Sequence, residues 1–288
     1  MRSLKLTLAY DGTAYAGWQL QPGEPTVQGV LEAALEAISG APTRTIASGR
    51  TDAGVHALGQ VVSLRTSCRL TPEVLRRALN ARLPHDVAVL DVAEAAEGFH
   101  AIRDACRKRY RYVIHDGPVR DVFRRDYSWQ TFVRLDAEAM DRAAAVLRGT
   151  HDFRSFQSAG ADRPTTVRTV FDVQVRRREP PEQDLVVLEI EADGFLYNMV
   201  RAIVGSLAEI GRGARPMSWM ERVLDAADRR VAGPTAPPQG LFLMHVTYDE
   251  AVGGRQAAVG SGEAEGAGDQ GSNIEFGIRN SEFGSPNA

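Results

Sequence analysis

The chain has 288 residues, 43% hydrophobic and 25% charged, the balance of an ordinary soluble protein with one large domain or two small ones. No apolar run approaches the roughly 20 residues of a membrane span, the N-terminus lacks a signal-peptide layout, and two cysteines, Cys68 and Cys106, suit neither a disulfide framework nor a zinc site, so a cytoplasmic location is expected. The net charge of −3 excludes a uniformly basic polyanion binder, but residues 251–288 carry two basic and five acidic groups, and setting them aside leaves 32 of each sign, which permits a local basic groove.

Leu4 to Tyr10 alternates at period two and predicts a strand, broken by the loop Asp11-Gly12-Thr13. Thr26 predicts the N-cap of a helix over 27–38, with Val27, Val30, Leu31, Ala34, Leu35 and Ile38 at helical spacing. Strands are expected at about 43–48 and 58–66, flanking a tight loop. Thr71 caps a second helix that starts on Pro72 and ends near Asn80, and Asp86 to Val92 reads as a strand. A second pass follows. Arg109 to His115 is a strand, and Asp136 caps a helix through Leu147 that Gly149 stops. Thr165 to Arg177 and Leu185 to Ala192 are strands, and 195–210 is a long helix. Ser218 with Glu221 forms a capping box for another helix, and Leu241 to Asp249 is the last strand. The two passes predict related α+β halves, 1–104 and 105–249, whose sheets could join side by side. A doubly wound parallel sheet is also compatible with the alternation.

Only Lys5 and Lys108 are lysine; the other basic residues are arginine, with clusters at Arg107-Lys108-Arg109 with Arg111, Arg120 with Arg124-Arg125, and Arg176-Arg177-Arg178. Each is either a phosphate-binding patch or a solvated charged face. From Glu250 onward Gly, Ala, Ser and Glu dominate without apolar periodicity, which predicts a disordered tail, 250–288. Gly266, Gly268 and Gly271 match a dinucleotide-binding string there, but neither the preceding strand nor the following helix exists. The Glu-Phe-Gly repeats near the end read as translated cloning sites.

The central chemical signal is Gly49-Arg50-Thr51-Asp52-Ala53-Gly54-Val55-His56, a tight loop between two strands. Its glycines permit positive φ and close backbone approach, and Asp52 is presented on it with the small Ala53 leaving the carboxylate uncrowded. The same string also suits an Asx-turn, and His56 suits a hydrogen-bonded structural histidine. Tyr110 stands in a strand where basic and aromatic residues interleave. Arg201 stands in a helix apolar over most of its circumference, beside Tyr197, Val204, Gly205 and Ala208. A guanidinium buried there needs an anion, because an unpaired charge costs about 3–5 kcal/mol.

The octapeptide closely resembles the catalytic motif of the tRNA pseudouridine synthase A family. Tyr10 to Gln19, Asn80 to Pro84, Phe99-His100-Ala101, Lys108 to Tyr112, Gly149 to Phe153 with Phe156, Asn198 to Arg201 with Gly205, and Thr235-Ala236 through Gly240-Leu241 resemble further family blocks, in family order over about 3–249. The resemblance implies two ferredoxin-like halves whose antiparallel sheets join, helices on the outer face and an RNA cleft between the halves. It implies a homodimer that isomerises uridine to pseudouridine at positions 38, 39 and 40 in the anticodon stem-loop of tRNA. Neither metal nor organic cofactor is implied, since breaking C1′–N1 and making C1′–C5 requires no redox change and no group donor.

By the same resemblance Asp52 is the catalytic carboxylate, as nucleophile or to stabilise positive charge at C1′. Tyr110 stacks on the uracil, with its hydroxyl available for proton transfer. Arg201 pairs with Asp52, Leu241 lies beside the target base, and Arg50 is a candidate for the substrate backbone. Rival readings are a non-catalytic RNA-binding module, an aspartic hydrolase with Asp11-Gly12 as second turn, and a related synthase acting on other tRNA uridines. The first lacks the glycine-and-aromatic string it needs and has no use for Asp52 and Arg201 together.

Overall fold

A computed structural model describes residues 1–160 and 165–249. Leu4, Leu6 and Leu8 point one way from β1 (Arg2–Tyr10) and are fully buried, as the alternation predicts. The Thr26 hydroxyl accepts from Gly29 N at the start of α1 (Val27–Ser39), and Gly40 ends it in the left-handed region. β2 (Thr45–Ala47) and β3 (His56–Thr66) bracket the Asp52 loop. Thr71 caps α2 (Pro72–Asn80), which packs against β4 (Val87–Glu94).

The second pass begins with β5 (Ala105–His115) and a two-residue strand, β6 (Trp129–Gln130). Asp136 caps α3 (Ala137–Ala144) through Ala139 N, and a single 3₁₀ turn carries the chain to Leu147. The short β7 (Gly149–Asp152) pairs with β8 (Val167–Arg177), which pairs in turn with β9 (Leu185–Ala192). α4 (Met199–Gly211), α5 (Trp219–Ala226) and β10 (Leu241–Tyr248) complete the chain as described.

These strands form one sheet in the order β4-β1-β3-β10-β5-β9-β8-β7, with β2 added on β3 and β6 on β5. The order β4-β1-β3-β2 of the first pass recurs as β10-β5-β9-β8 in the second, with helices after the first and third strand of each. Pairings are antiparallel except β5 with β6 and β3 with β10. The doubly wound parallel alternative is therefore wrong. The β3–β10 pairing, Phe242 opposite His56 and Leu243 opposite Ala57, joins the two passes immediately after the Asp52 loop.

Two local expectations fail for identifiable reasons. α4 starts at Met199 and not at 195, because Asn198 adopts φ 60 and ψ 10, a left-handed geometry that no helix propagates. Tyr197 therefore does not share a helical stripe with Arg201. Ser218 makes no capping hydrogen bond: its backbone is already helical, and Trp219 N and Met220 N donate to the turn carbonyls of Pro216 and Met217 instead. The tail, with its glycine string and cloning-site repeats, lies outside the described residues.

Candidate active site

The Asp52 loop is held from below by a buried polar network. Ser48 Oγ donates to Gln60 Oε1 at 2.7 Å, and Gln60 Nε2 donates to Gly49 O at 2.8 Å and to the Tyr10 hydroxyl at 3.3 Å. The Tyr10 hydroxyl lies 2.8 Å from Thr51 Oγ1. From the side, Trp18 N donates to Thr51 O, and Gly17 forms a bridge with Asp52. Gly17 has φ 105, and a Cβ there would sit 2.7 Å from Thr51 O, so only glycine lets this segment press on the loop. Val55 N closes the turn onto Asp52 O at 3.1 Å, with Gly54 at φ 74; Gly49 needs no positive φ and instead leaves room for Lys108 Nζ. His56 is buried and does not line the cavity: its Nδ1 accepts from Gly12 N, and Nε2 faces the carbonyls of Asp126 and Gln239. Burial lowers its pKa towards this neutral structural state, against the opposing pull of the Asp11 carboxylate 3.1 Å from Nδ1.

Asp52 meets Arg201 at Nη1–Oδ2 3.4 Å, with side chains 30% and 15% exposed. Arg201 is not a surface arginine reaching for solvent. Its Nε donates to Ala236 O at 2.7 Å and its Nη1 to Asn198 Oδ1 at 2.8 Å, while Ala236 N donates back to Arg201 O. The Asn198 amide also donates to Ser158 Oγ at 3.1 Å, so one left-handed residue both starts α4 and aims the guanidinium. Burial pushes the Asp52 carboxyl above its ordinary pKa, and the Arg201 charge and hydrogen bond oppose that shift without cancelling it.

Above the pair opens a cavity of about 880 Å³ lined by Asp52, Arg201, Tyr110, Leu241 and Arg50, so all five residues singled out in the sequence converge. Tyr110 is nearly buried, its ring set edge-to-face with Phe195 at a centroid distance of 5.0 Å, and its hydroxyl has no hydrogen-bond partner among the described residues. Burial raises its pKa further, with the Tyr10 and Asp52 charges adding to the effect. At neutral pH it is therefore a phenol, a ring face and proton donor rather than a standing base. Leu241 is buried at the start of β10, and Arg50 is exposed with no ion pair among the described residues.

The family model described as tRNA pseudouridine synthase matches residues 7–103 and 143–249. The chain belongs to this family. Curated relatives named tRNA pseudouridine synthase A include those of Moorella thermoacetica, 49% identical over 250 residues, and Geobacillus sp. (strain WCH70), 47% identical over 249 residues. Each alignment covers 86% of this chain, with 100% and 99% of the respective relative. The relative from Myxococcus xanthus is 46% identical over 248 residues, 86% of this chain and 92% of its own.

For a pseudouridine synthase the fate of the basic clusters is informative. Strand alternation splits the string 107–111: Lys108 and Tyr110 line the cavity, whereas Arg107, Arg109 and Arg111 are spent on Glu189 and Glu191 across β9. Arg124 pairs with Asp121 and Glu182, Arg125 with Asp126, and Arg178 with Glu182. Arg177 clamps the buried Asp116 carboxylate. These arginines are committed to intramolecular ion pairs, so the interleaving of basic and aromatic residues carries less of the nucleic-acid reading than it suggests in the sequence. Gln60 went unnoticed in the sequence, while Asn198 and Lys108, whose Nζ donates to Ser48 O at 2.5 Å, stood only in motif blocks without the supporting roles they take here. Asn198 was expected inside the helix over 195–210, and its only early sign was its place at the head of the family block Asn198 to Arg201.

Proposed function

We propose that this protein isomerises uridine to pseudouridine in tRNA, at positions 38, 39 and 40 of the anticodon stem-loop, with Asp52 as nucleophile. The observation that carries the reading is the Asp52 carboxylate on a rigid loop at the cavity wall, with Arg201 at 3.4 Å and Tyr110 and Leu241 lining the same space. A target uridine leaves its stack and enters this cavity. Tyr110 stacks on the uracil, and Leu241 excludes water beside it. Asp52 acts at the sugar–base junction, the C1′–N1 bond breaks, the uracil turns, and C1′–C5 forms. The C5 proton then leaves, N1 regains one, and Asp52 is released unchanged. Arg201 keeps the carboxylate ionised and aimed, and Arg50 engages the RNA backbone. The reaction needs no electron or group donor, so neither metal nor organic cofactor takes part.

The repeated strand order supports two ferredoxin-like halves, 1–104 and 105–249, with the RNA cleft between them and the helices on the outer face. We extend the reading to a cytoplasmic homodimer that binds tRNA and neither DNA nor membrane; no helix among the described residues is long and apolar enough to cross a membrane.

The test is Asp52→Asn, which keeps size and most hydrogen bonds but removes charge and nucleophile. Tritium release from C5-labelled uridine in tRNA should vanish, while tRNA affinity changes by less than about tenfold, roughly 1.4 kcal/mol. Substantial release by the variant would remove Asp52 from its role.

A further inference from the structure

Three exposed apolar side chains converge on the Asp52 cavity. Tyr197 is 43% exposed, Val167 44% and Ile102 50%, and all three line that space. A single exposed apolar residue needs no explanation, but three around one polar cavity mark a surface meant to be covered. They come from separate segments: Ile102 from the link between β4 and β5, Val167 from the first residue of β8, and Tyr197 from the loop leading into α4.

Tyr197 is the one with an unused aromatic face. Among the described residues its side chain has no hydrogen bond and no ring contact. Its backbone, by contrast, is fixed. Ser158 N donates to Tyr197 O at 3.1 Å, and the next residue is Asn198, anchored to Ser158 and Arg201. A rigid backbone carrying a free ring is what a stacking platform requires. The cations that line the same cavity include Arg50, which has no ion pair among the described residues, so a phosphate backbone has a charge complement beside the ring.

We propose that Tyr197 stacks on an unpaired nucleobase adjoining the target uridine, with Ile102 and Val167 as apolar walls of that subsite. The proposal rests on the synthase reading and names a further part of its substrate site. Extruding one base leaves its neighbours short of a stacking partner. A tyrosine ring replaces that partner whatever the base, because every base has a π-face. The unused hydroxyl makes no contribution, so the ring alone carries the effect.

The experiment is a cycle between protein and RNA. Tyr197→Ala and Tyr197→Phe are assayed by tritium release on an anticodon stem-loop RNA. The same assays are repeated on RNAs made abasic at the nucleotide before, or after, the target. On the intact RNA, Tyr197→Ala should raise KM about tenfold, the scale of one lost base–aromatic stack, while Tyr197→Phe matches the wild type. On one of the abasic RNAs wild type and Tyr197→Ala should converge. 2-Aminopurine placed at that nucleotide should be quenched by the wild type and less so by Tyr197→Ala. Unchanged KM in Tyr197→Ala, or losses that simply add on both abasic RNAs, would overturn the stacking role while wild-type turnover stands. Absence of wild-type turnover on any uridine RNA would instead defeat the synthase reading and this subsite with it. Tyr197 is exposed, and a melting curve of the Ala variant separates lost stacking from lost folding.

Discussion

Arg201→Met should destabilise the protein, nearly abolish turnover and move the acid limb of any residual activity to higher pH. Breaking a buried ion pair from one side costs about 3–5 kcal/mol. The lower end is expected here, since the Asp52 carboxylate is 30% exposed and the contact is a single one at 3.4 Å. Methionine also abandons Ala236 O and Asn198 Oδ1, each worth about 1–3 kcal/mol where water does not reach. Asp52 already has a raised pKa because burial outweighs the arginine. An adjacent cation holds a carboxylate's pKa down, so removing it should move the acid limb to higher pH. In the proposed mechanism the reactive form is the carboxylate, present above the pKa and lost as pH falls through it.

Stability has the opposite sign to the common paired aspartate. The folded state binds the Asp52 proton more tightly than the unfolded chain does. Asp52 is therefore tolerated best below its ordinary pKa and weakens the fold as pH rises through the folded value, more so in the variant. Tritium release across a pH series and urea unfolding at each pH measure both effects. In a double-mutant cycle with Asp52→Asn, the combined loss should fall short of the sum by about 0.5–3 kcal/mol. An unmoved acid limb together with additive losses would show that the two side chains do not interact, and the active-site geometry would be refuted.

Asn198→Gly keeps the left-handed backbone but removes the amide that aims Arg201; it should still fold, with about 1–3 kcal/mol less stability, and lose about tenfold in kcat, the scale of one hydrogen bond to a charged group. Unaltered kcat would make Asn198 a backbone feature only. Gly205→Ala would place a Cβ 1.7 Å from Pro234 O and push α4 off the segment whose Ala236 carbonyl holds Arg201. A loss of about 1–3 kcal/mol in urea unfolding is expected, and a neutral change would mean that the two segments are not pressed together. Exhaustive chelation and dialysis should leave turnover intact on tRNA folded beforehand, with magnesium supplied only for RNA folding in a parallel control. Recovery that depends on a stoichiometric protein-bound metal would contradict the cofactor-free mechanism.

Regular periods were legible and single backbone choices were not. β9 and the start of α2 stand where they were expected, because eight residues of apolar alternation and a Thr-Pro cap are local signals. β6 and β7 are too short to show a period, and their partners are tertiary. The start of α4 was misplaced because Phe195 and Leu196 continue an apolar run in the letters while Asn198 turns left-handed in space. Asp52 stood out through the family resemblance, since its loop alone also suits an Asx-turn, whereas the need of a buried Arg201 for an anion was legible in the apolar helix around it. The spending of Arg107, Arg109 and Arg111 was not legible, since their carboxylates lie on β9, far along the chain.

The looseness of the Asp52–Arg201 contact is itself consistent with the proposed chemistry. A carboxylate gripped by two short parallel hydrogen bonds would be deeply stabilised and a poor nucleophile. Here Arg201 spends its Nε on Ala236 O and shares its Nη1 between Asn198 and Asp52. One long contact therefore opposes, without cancelling, a burial that by itself favours the protonated acid. The carboxylate stays basic through poor solvation, ionised through the nearby cation, and aimed through a loop fixed on Gln60, Tyr10 and Gly17. Each influence comes from a different segment of the chain. Asp52 can thus fill the proposed role only when the sheet has joined β3 to β10 and brought α4 against the loop.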